Sequence, residues 1–167
     1  MRIGKIALTL LLGLCATDAA QAQTRRAAPG PTYGYVFADF AHLSAPGLTF
    51  DGGGLGVGWH FTRYLGIQAG GHYFRKSPVE LTSAYAEAML TYPVTDTFSV
   101  YGALGGSYMH GKANTGFTTV TGNSTGYRAS IGIEHWFGRN FGLRAGYARQ
   151  NAGWVADELG IGLAFRF

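Results

Sequence analysis

A chain of 167 residues with 13 basic and 9 acidic side chains carries a net charge of only +4, too little to argue for nucleic acid as a partner. Glycine supplies 27 residues, aromatics 14% and charged residues only 13%, about half the usual charged share and poor material for a water-soluble surface. The single cysteine, Cys15, lies near the start, so everything after it folds without a disulfide, a thiolate metal site or a thiol nucleophile.

The first residues read as a secretion signal. Arg2 and Lys5 form a charged start, residues 6–16 an apolar stretch, and Ala20, Gln21 and Ala22 a small-x-small site, which places cleavage between Ala22 and Gln23. The apolar stretch is too short to cross a bilayer as a helix. Leu14 stands where a lipoprotein signal peptidase expects a small residue, so lipidation at Cys15 is not expected. Residues 23–32 (QTRRAAPGPT) are polar and interrupted by Pro29 and Pro31, as in a flexible periplasmic segment leading into one domain over 33–167.

From residue 33 the hydrophobic period is two. Leu65, Ile67, Ala69, Gly71 and Tyr73 alternate with Gly66, Gln68, Gly70 and His72, and Leu159, Ile161, Leu163, Phe165 and Phe167 alternate with Gly160, Gly162, Ala164 and Arg166. Such alternation marks strands that separate an apolar environment from a small or polar one. Eight strands are expected, at 33–41, 53–62, 65–75, 80–92, 98–110, 125–137, 141–150 and 158–167, most with the roughly ten residues a tilted strand needs to cross a bilayer. After the signal no window approaches the roughly 20 apolar residues of a membrane helix. A secreted, weakly charged, aromatic-rich chain of strands is then expected to be an all-β, eight-stranded antiparallel up-and-down transmembrane barrel of the bacterial outer membrane, because hydrocarbon cannot satisfy an open sheet edge.

The connections divide into tight turns at 63–64, 93–97 and 138–140 and longer segments at 42–52, 111–124 and 151–157, with 76–79 a short exception. Short turns belong on the periplasmic side and long loops outside. Aromatic residues flank each tight turn: Phe61 and Tyr64, then Tyr92 and Phe98, then Trp136, Phe137 and Phe141, with Phe165 and Phe167 at the same level. Tyr73, Tyr108, Tyr127 and Tyr147 form the expected opposite girdle. The alternating series Leu159, Ile161, Leu163, Phe165, Phe167 resembles the terminal signal read by the bacterial barrel-assembly machinery. One strand stays unsettled: an inward Asp39 turns Tyr33, Tyr35 and Phe37 inward with it.

Residues 90–106 (LTYPVTDTFSVYGALGG), 58–71 (GWHFTRYLGIQAGG) and 159–167 (LGIGLAFRF) resemble strands of the membrane-embedded domain of the outer-membrane protein A family, and of OmpX-like and opacity-like barrels. The resemblance implies the barrel fold and an interior cluster of acidic and basic residues, with Glu134 and Arg144 at matching positions. Gln68 falls where the family tends to have a carboxylate and Met89 where it tends to have a lysine, so that network is only half present. No peptidoglycan-binding domain follows the barrel, so tethering to the cell wall is not expected.

Face assignment alone also points Glu134 and Arg144 inward from neighbouring strands, with Glu87, on the face of Tyr85 and Met89, as a second lumenal carboxylate. A pair that fills and satisfies the interior is preferred over a gate, since buried charges need partners whatever the function. An eight-stranded barrel is filled by its own side chains, so a wide pore is excluded. A lipid-modifying hydrolase needs a serine, a histidine and an acid that converge. Glu134 and His135 point to opposite faces, Ser130 is out of reach of Glu134, and His42, His60, His72 and His110 have no such partners at recognisable spacing. His60 and His72 face the lumen from adjoining strands, but two histidines without a third ligand are weak grounds for a metal. The expectation is a monomer without cofactor, metal or enzymatic activity, in contact with outer-membrane lipid and lipopolysaccharide. Its role is structural or surface-interactive (membrane integrity, adhesion, immune evasion), with the polar segment 111–124 offered to an extracellular ligand. A narrow or gated channel is the alternative.

Overall fold

The computed structural model describes residues 32–167 apart from 115 and 117. The secretion signal with its Ala22–Gln23 cleavage point, and all of the 23–32 segment except Thr32, lie outside the described residues. Eight strands follow in chain order: β1 (Tyr33–Ala45), β2 (Leu48–His60), β3 (Leu65–Lys76), β4 (Val79–Pro93), β5 (Phe98–Asn114), β6 (Thr119–Phe137), β7 (Phe141–Asn151) and β8 (Val155–Arg166). Each pairs antiparallel with its neighbours, and β8 returns to β1 from Tyr35↔Arg166 to Ser44↔Asp157, closing the barrel. Closure leaves no edge within the wall, which is the condition for a sheet to stand in hydrocarbon.

The period of two sorts the side chains. Val36, Phe40, Leu55, Val57, Ile67, Leu90, Leu104, Ile131, Leu159, Ile161 and Leu163 all stand exposed on the outer wall. A continuous apolar belt on every side of the barrel has no counterpart in a soluble sheet, which turns that face to its core. The inward face holds the aromatic, charged and small residues. β1 follows its aspartate: Tyr35, Phe37, Ala41 and Leu43 are buried inside on the same face as the half-buried Asp39, while Val36, Ala38 and Phe40 face out. Large rings fit there because their register partners on the adjacent strand β2 lack side chains. A Cβ on Gly58 would collide with the Tyr35 ring, and one on Gly56 with Phe37.

At one end, here the turn end, residues 61–64, 94–97 and 138–140 make the tight connections, and Thr32 and Phe167 lie at the same level. Phe167 N–H donates to Gly34 O at 3.0 Å, and Thr32 Oγ1 donates to Phe61 O at 3.2 Å.

The opposite end departs from expectation. The strands do not stop where the apolar pattern fades, and 42–52, 111–124 and 151–157 are not loops. β1 and β2 continue to Ala45↔Leu48 and join through Pro46 and Gly47, the latter at φ 78°, a turn geometry that glycine adopts without a Cβ clash. β5 and β6 continue to Asn114↔Thr119, and β7 and β8 to Asn151↔Val155. At 17 and 19 residues, β5 and β6 exceed the roughly 9–11 that a bilayer crossing needs. Toward the hairpin tips both faces meet water, as over 119–123 where every residue is exposed. Alternation then disappears from the sequence although the hydrogen-bonded ladder does not.

Candidate functional site

The lumen is the candidate site, and it is filled in three layers. Nearest the turn end, Tyr33, Tyr35, Phe37, Tyr85, Met89, Tyr101 and Trp136 form an aromatic-rich cluster. The Arg166 guanidinium lies 3.8 Å from the ring centres of both Tyr33 and Trp136, and His60 stacks on Tyr33 at 4.5 Å. Trp136 is thus an inward residue, 4% exposed, and not part of the membrane-facing ring in which the sequence places it. It shares the parity of Glu134, and parity outweighs its nearness to the 138–140 turn. Trp59, Phe61, Tyr64, Tyr92, Phe137, Phe141, Phe165 and Phe167 are the exposed aromatics at that end.

The middle layer is a chain of charges. Arg144 Nε lies 2.9 Å from Glu134 Oε1, and Arg144 Nη2 donates to Gln68 Oε1 at 2.8 Å. Gln68 Nε2 donates to Glu87 Oε2 at 2.7 Å, and Ser130 Oγ to the same oxygen at 3.2 Å. Arg128 stands between two carboxylates. Its Nε is 3.4 Å from Glu87 Oε1, and its two terminal nitrogens donate to Glu158 at 3.0 and 2.8 Å. Beyond Glu158, His72 Nδ1 is 3.7 Å from Glu158 Oε1 and His72 Nε2 is 3.0 Å from Asp39. The two arginines also lie over rings, Arg144 at 4.5 Å from Phe37 and Arg128 at 4.3 Å from Tyr85. Charges this deep persist only with opposite charges and hydrogen bonds around them.

All four residues singled out for the lumen, Glu134, Arg144, Glu87 and Gln68, lie in this layer and are buried. Asp39 and His72, which the sequence turns inward, join the same layer, and so do Arg128 and Glu158, which the sequence reading does not place. Arg128 shares the parity of Glu134, and Glu158 that of Gly160 and Gly162. Their pairing joins β6 to β8 across the lumen, which a reading by adjacent strands does not reach.

The third layer closes the opposite end. Ala41, Leu43, Phe50, Phe74, Leu81, Met109, Ala152 and Ala156 pack together, with Ala45, Val79 and Trp154 against them. Between this seal and the aromatic layer, the cavity beside Asp39, Gln68, Arg128 and Glu158 measures about 40 Å³, room for a few water molecules at most.

At the level of the seal, the outer face of the wall carries its own pairs. His42 Nδ1 is 2.7 Å from Asp51, Arg75 Nε 3.7 Å from Glu80, and Arg149 Nε 2.8 Å from Asp157, to which Tyr147 also donates at 2.6 Å.

Chemistry of the other candidates is limited by their placement. His60 sits across from Gly66 while His72 lies six residues further along β3, roughly 20 Å away, so the two do not share a site. Among the described residues no three His, Cys, Asp or Glu side chains group closely enough to hold a metal ion. His72 does have an acid, Asp39, and Ser83 faces it in the register. The Ser83 hydroxyl makes no hydrogen bond among the described residues and is 1% exposed. Leu159, Ile161, Leu163, Phe165 and Phe167 succeed one another along the outer face of the closing strand, all exposed.

Comparison with known proteins agrees with this architecture. The attachment invasion locus protein Ail of Yersinia pestis superposes with a TM-score of 0.64 at 16% identity, over 83% of this chain and 99% of that one. Neisserial surface protein A gives 0.64 at 18% identity, over 83% and 98%. The N-terminal barrel domain of Pseudomonas aeruginosa OprF gives 0.64 at 15%, over 80% and 97%. No curated protein sequence matches this chain. The family model described as outer membrane protein beta-barrel domain matches residues 6–167, and the chain therefore belongs to that family of bacterial outer-membrane barrels.

Proposed function

We propose that the protein is a closed outer-membrane barrel with a structural and surface-interaction role (membrane integrity, adhesion or immune evasion), served by hairpins held above the membrane. The observation that carries this reading is the lumen, occupied from end to end by an aromatic layer, a paired charge layer and an apolar seal. Such a lumen offers a solute no path, whereas the hairpins extend the wall well past the apolar belt. The turn end then faces the periplasm and the hairpin end the outside. One of the similar structures is an attachment invasion locus protein, and an attachment role suits the same hairpins here. Lipid and lipopolysaccharide surround the belt, and the terminal aromatic series is the feature offered to the barrel-assembly machinery. No catalytic function is assigned: Ser130 is engaged with Glu87, and Asp39, His72 and Ser83 lie beneath the Phe74 and Leu81 seal.

Planar bilayer recording of the purified barrel tests the closed lumen. No steady current is expected, and unitary current steps would replace this reading by the narrow channel. Retention of producing cells on a matrix-coated surface tests the surface role. Shortening the β5–β6 hairpin between Lys112 and Thr121 is expected to reduce retention while the heat-dependent gel shift of the folded barrel stays.

A further inference from the structure

β6 outlasts one of its partners. Its ladder with β7 starts at Tyr127↔Asn151, whereas its ladder with β5 continues up to Asn114↔Thr119. Above Tyr127, among the described residues, the β6 backbone is paired on one side only. The β7–β8 turn leans on the first part of this stretch. A Cβ on Gly126 would run into the Asn151 carbonyl, and one on Gly153 would meet Ser124 Oγ at 2.7 Å. What stays open is 119–123, all five residues exposed, about 16 Å of extended edge.

Proteins normally blunt an open edge with lysine, proline or a bulge. This one reads Thr-Val-Thr-Gly-Asn, without charge or proline, and its register against β5 runs without a break. Beside it, between the hairpin and the β7–β8 turn, is a cleft of about 340 Å³ lined by Leu81, Met109, Gly122, Ser124 and Trp154. A strand laid along β6 would point every second side chain to that inner side.

We propose that the 119–123 edge and the Trp154 cleft dock an extended segment of a partner polypeptide by strand addition, with one apolar side chain seated against Trp154. The inference rests on the surface-interaction reading and names the chemistry of its partner. The site lies above the β6–β7 ladder on the same edge of β6, and pairing to β5 already holds that edge extended for an incoming strand. A second copy is not the occupant. Barrels in one membrane share an orientation and their strands tilt about 35–45°, so two facing β6 edges would cross at about 70–90° instead of lying side by side.

The test uses the whole barrel in lipid nanodiscs and a short synthetic peptide of alternating threonine and leucine, with amide hydrogen exchange read residue by residue. The peptide is expected to slow exchange at 119–123. Thr121→Lys, a charge placed on the edge, and Trp154→Ala, a loss of the cleft wall, are each expected to weaken binding about tenfold, close to 1.4 kcal/mol. Both variants keep the heat-dependent gel shift of a folded barrel. Unchanged exchange at 119–123 with saturating peptide, or equal binding by Thr121→Lys, would overturn the docking site. The retention experiment decides the broader reading separately: hairpin-dependent retention without peptide protection removes the edge site alone, and retention indifferent to the hairpin removes the surface role itself.

Discussion

Arg144 and Arg149 are five residues apart on β7 and make nearly the same bond, 2.9 Å to Glu134 and 2.8 Å to Asp157. An odd separation on a strand puts them on opposite faces. The Arg144 and Glu134 side chains are 8% and 1% exposed, those of Arg149 and Asp157 56% and 39%. Inside, the charge has no water to return to, so each partner is required by the other. Outside, water and salt substitute for either partner, and the pair adds little. Geometry alone does not tell the two pairs apart; the medium does.

Breaking the inner pair is the largest effect expected. Arg144→Ala leaves Glu134 buried without its counter-ion and Gln68 Oε1 with only the Tyr35 hydroxyl as donor, and should lower stability by about 3–5 kcal/mol in urea titrations of the barrel in vesicles. The double variant Arg144→Met, Glu134→Gln removes both charges at similar volume and should recover most of that loss. A double variant as unstable as Arg144→Ala would show that burial of charge is not the source of the difference.

The seal provides the next contrast, since it closes the same lumen without any charge. Phe50 is 1% exposed and packs among the aliphatic residues of that layer. Truncation to alanine should cost about 3 kcal/mol, near the low end for a buried phenylalanine. It should leave the bilayer silent, because the charge layer beneath still blocks the lumen. Current steps in Phe50→Ala with a silent wild type would mean that the seal alone keeps the barrel shut.

The two arginines also show what the sequence discloses. A period of two assigns Arg144 and Glu134 to the inner face and makes them neighbours on adjacent strands, and it does so because the apolar belt imposes strict alternation there. The same rule applied strictly to 128, 136 and 158 puts Arg128, Trp136 and Glu158 inside as well. Trp136 is obscured by its closeness to a turn, and Arg128 and Glu158 by lying on strands that are not adjacent. β1 looks contradictory because three aromatics and an aspartate share a face, and the contradiction ends at Gly56 and Gly58, whose missing side chains make room for Phe37 and Tyr35. Above the belt the rule loses its cause. Thr119, Thr121 and Asn123 on one face and Gly122 and Ser124 on the other are all compatible with water, so a paired hairpin reads as a loop. Pro46-Gly47 is a turn signal between Leu43 and Phe50, both of which point into the seal, but reading 42–52 as one loop passes over it.

The smallest effect expected is at the outer arginine. Arg149→Ala removes three contacts at once, two to Asp157 and the electrostatic support of the Tyr147–Asp157 hydrogen bond. On contact count it should rival Arg144→Ala. On the argument from the medium it should leave the urea midpoint in vesicles where it was, because every group it releases can be hydrated at once. The measurement is sharpest at low ionic strength, where screening is weakest and any contribution of the pair is greatest. A midpoint unchanged there and in added salt would show that the Arg149–Asp157 pair adds nothing to stability, in contrast to the pair of the same geometry inside the lumen. A drop that salt abolishes would instead mean that the base of the hairpins depends on the outer pair, and that Arg149 helps hold the β7–β8 turn against β6.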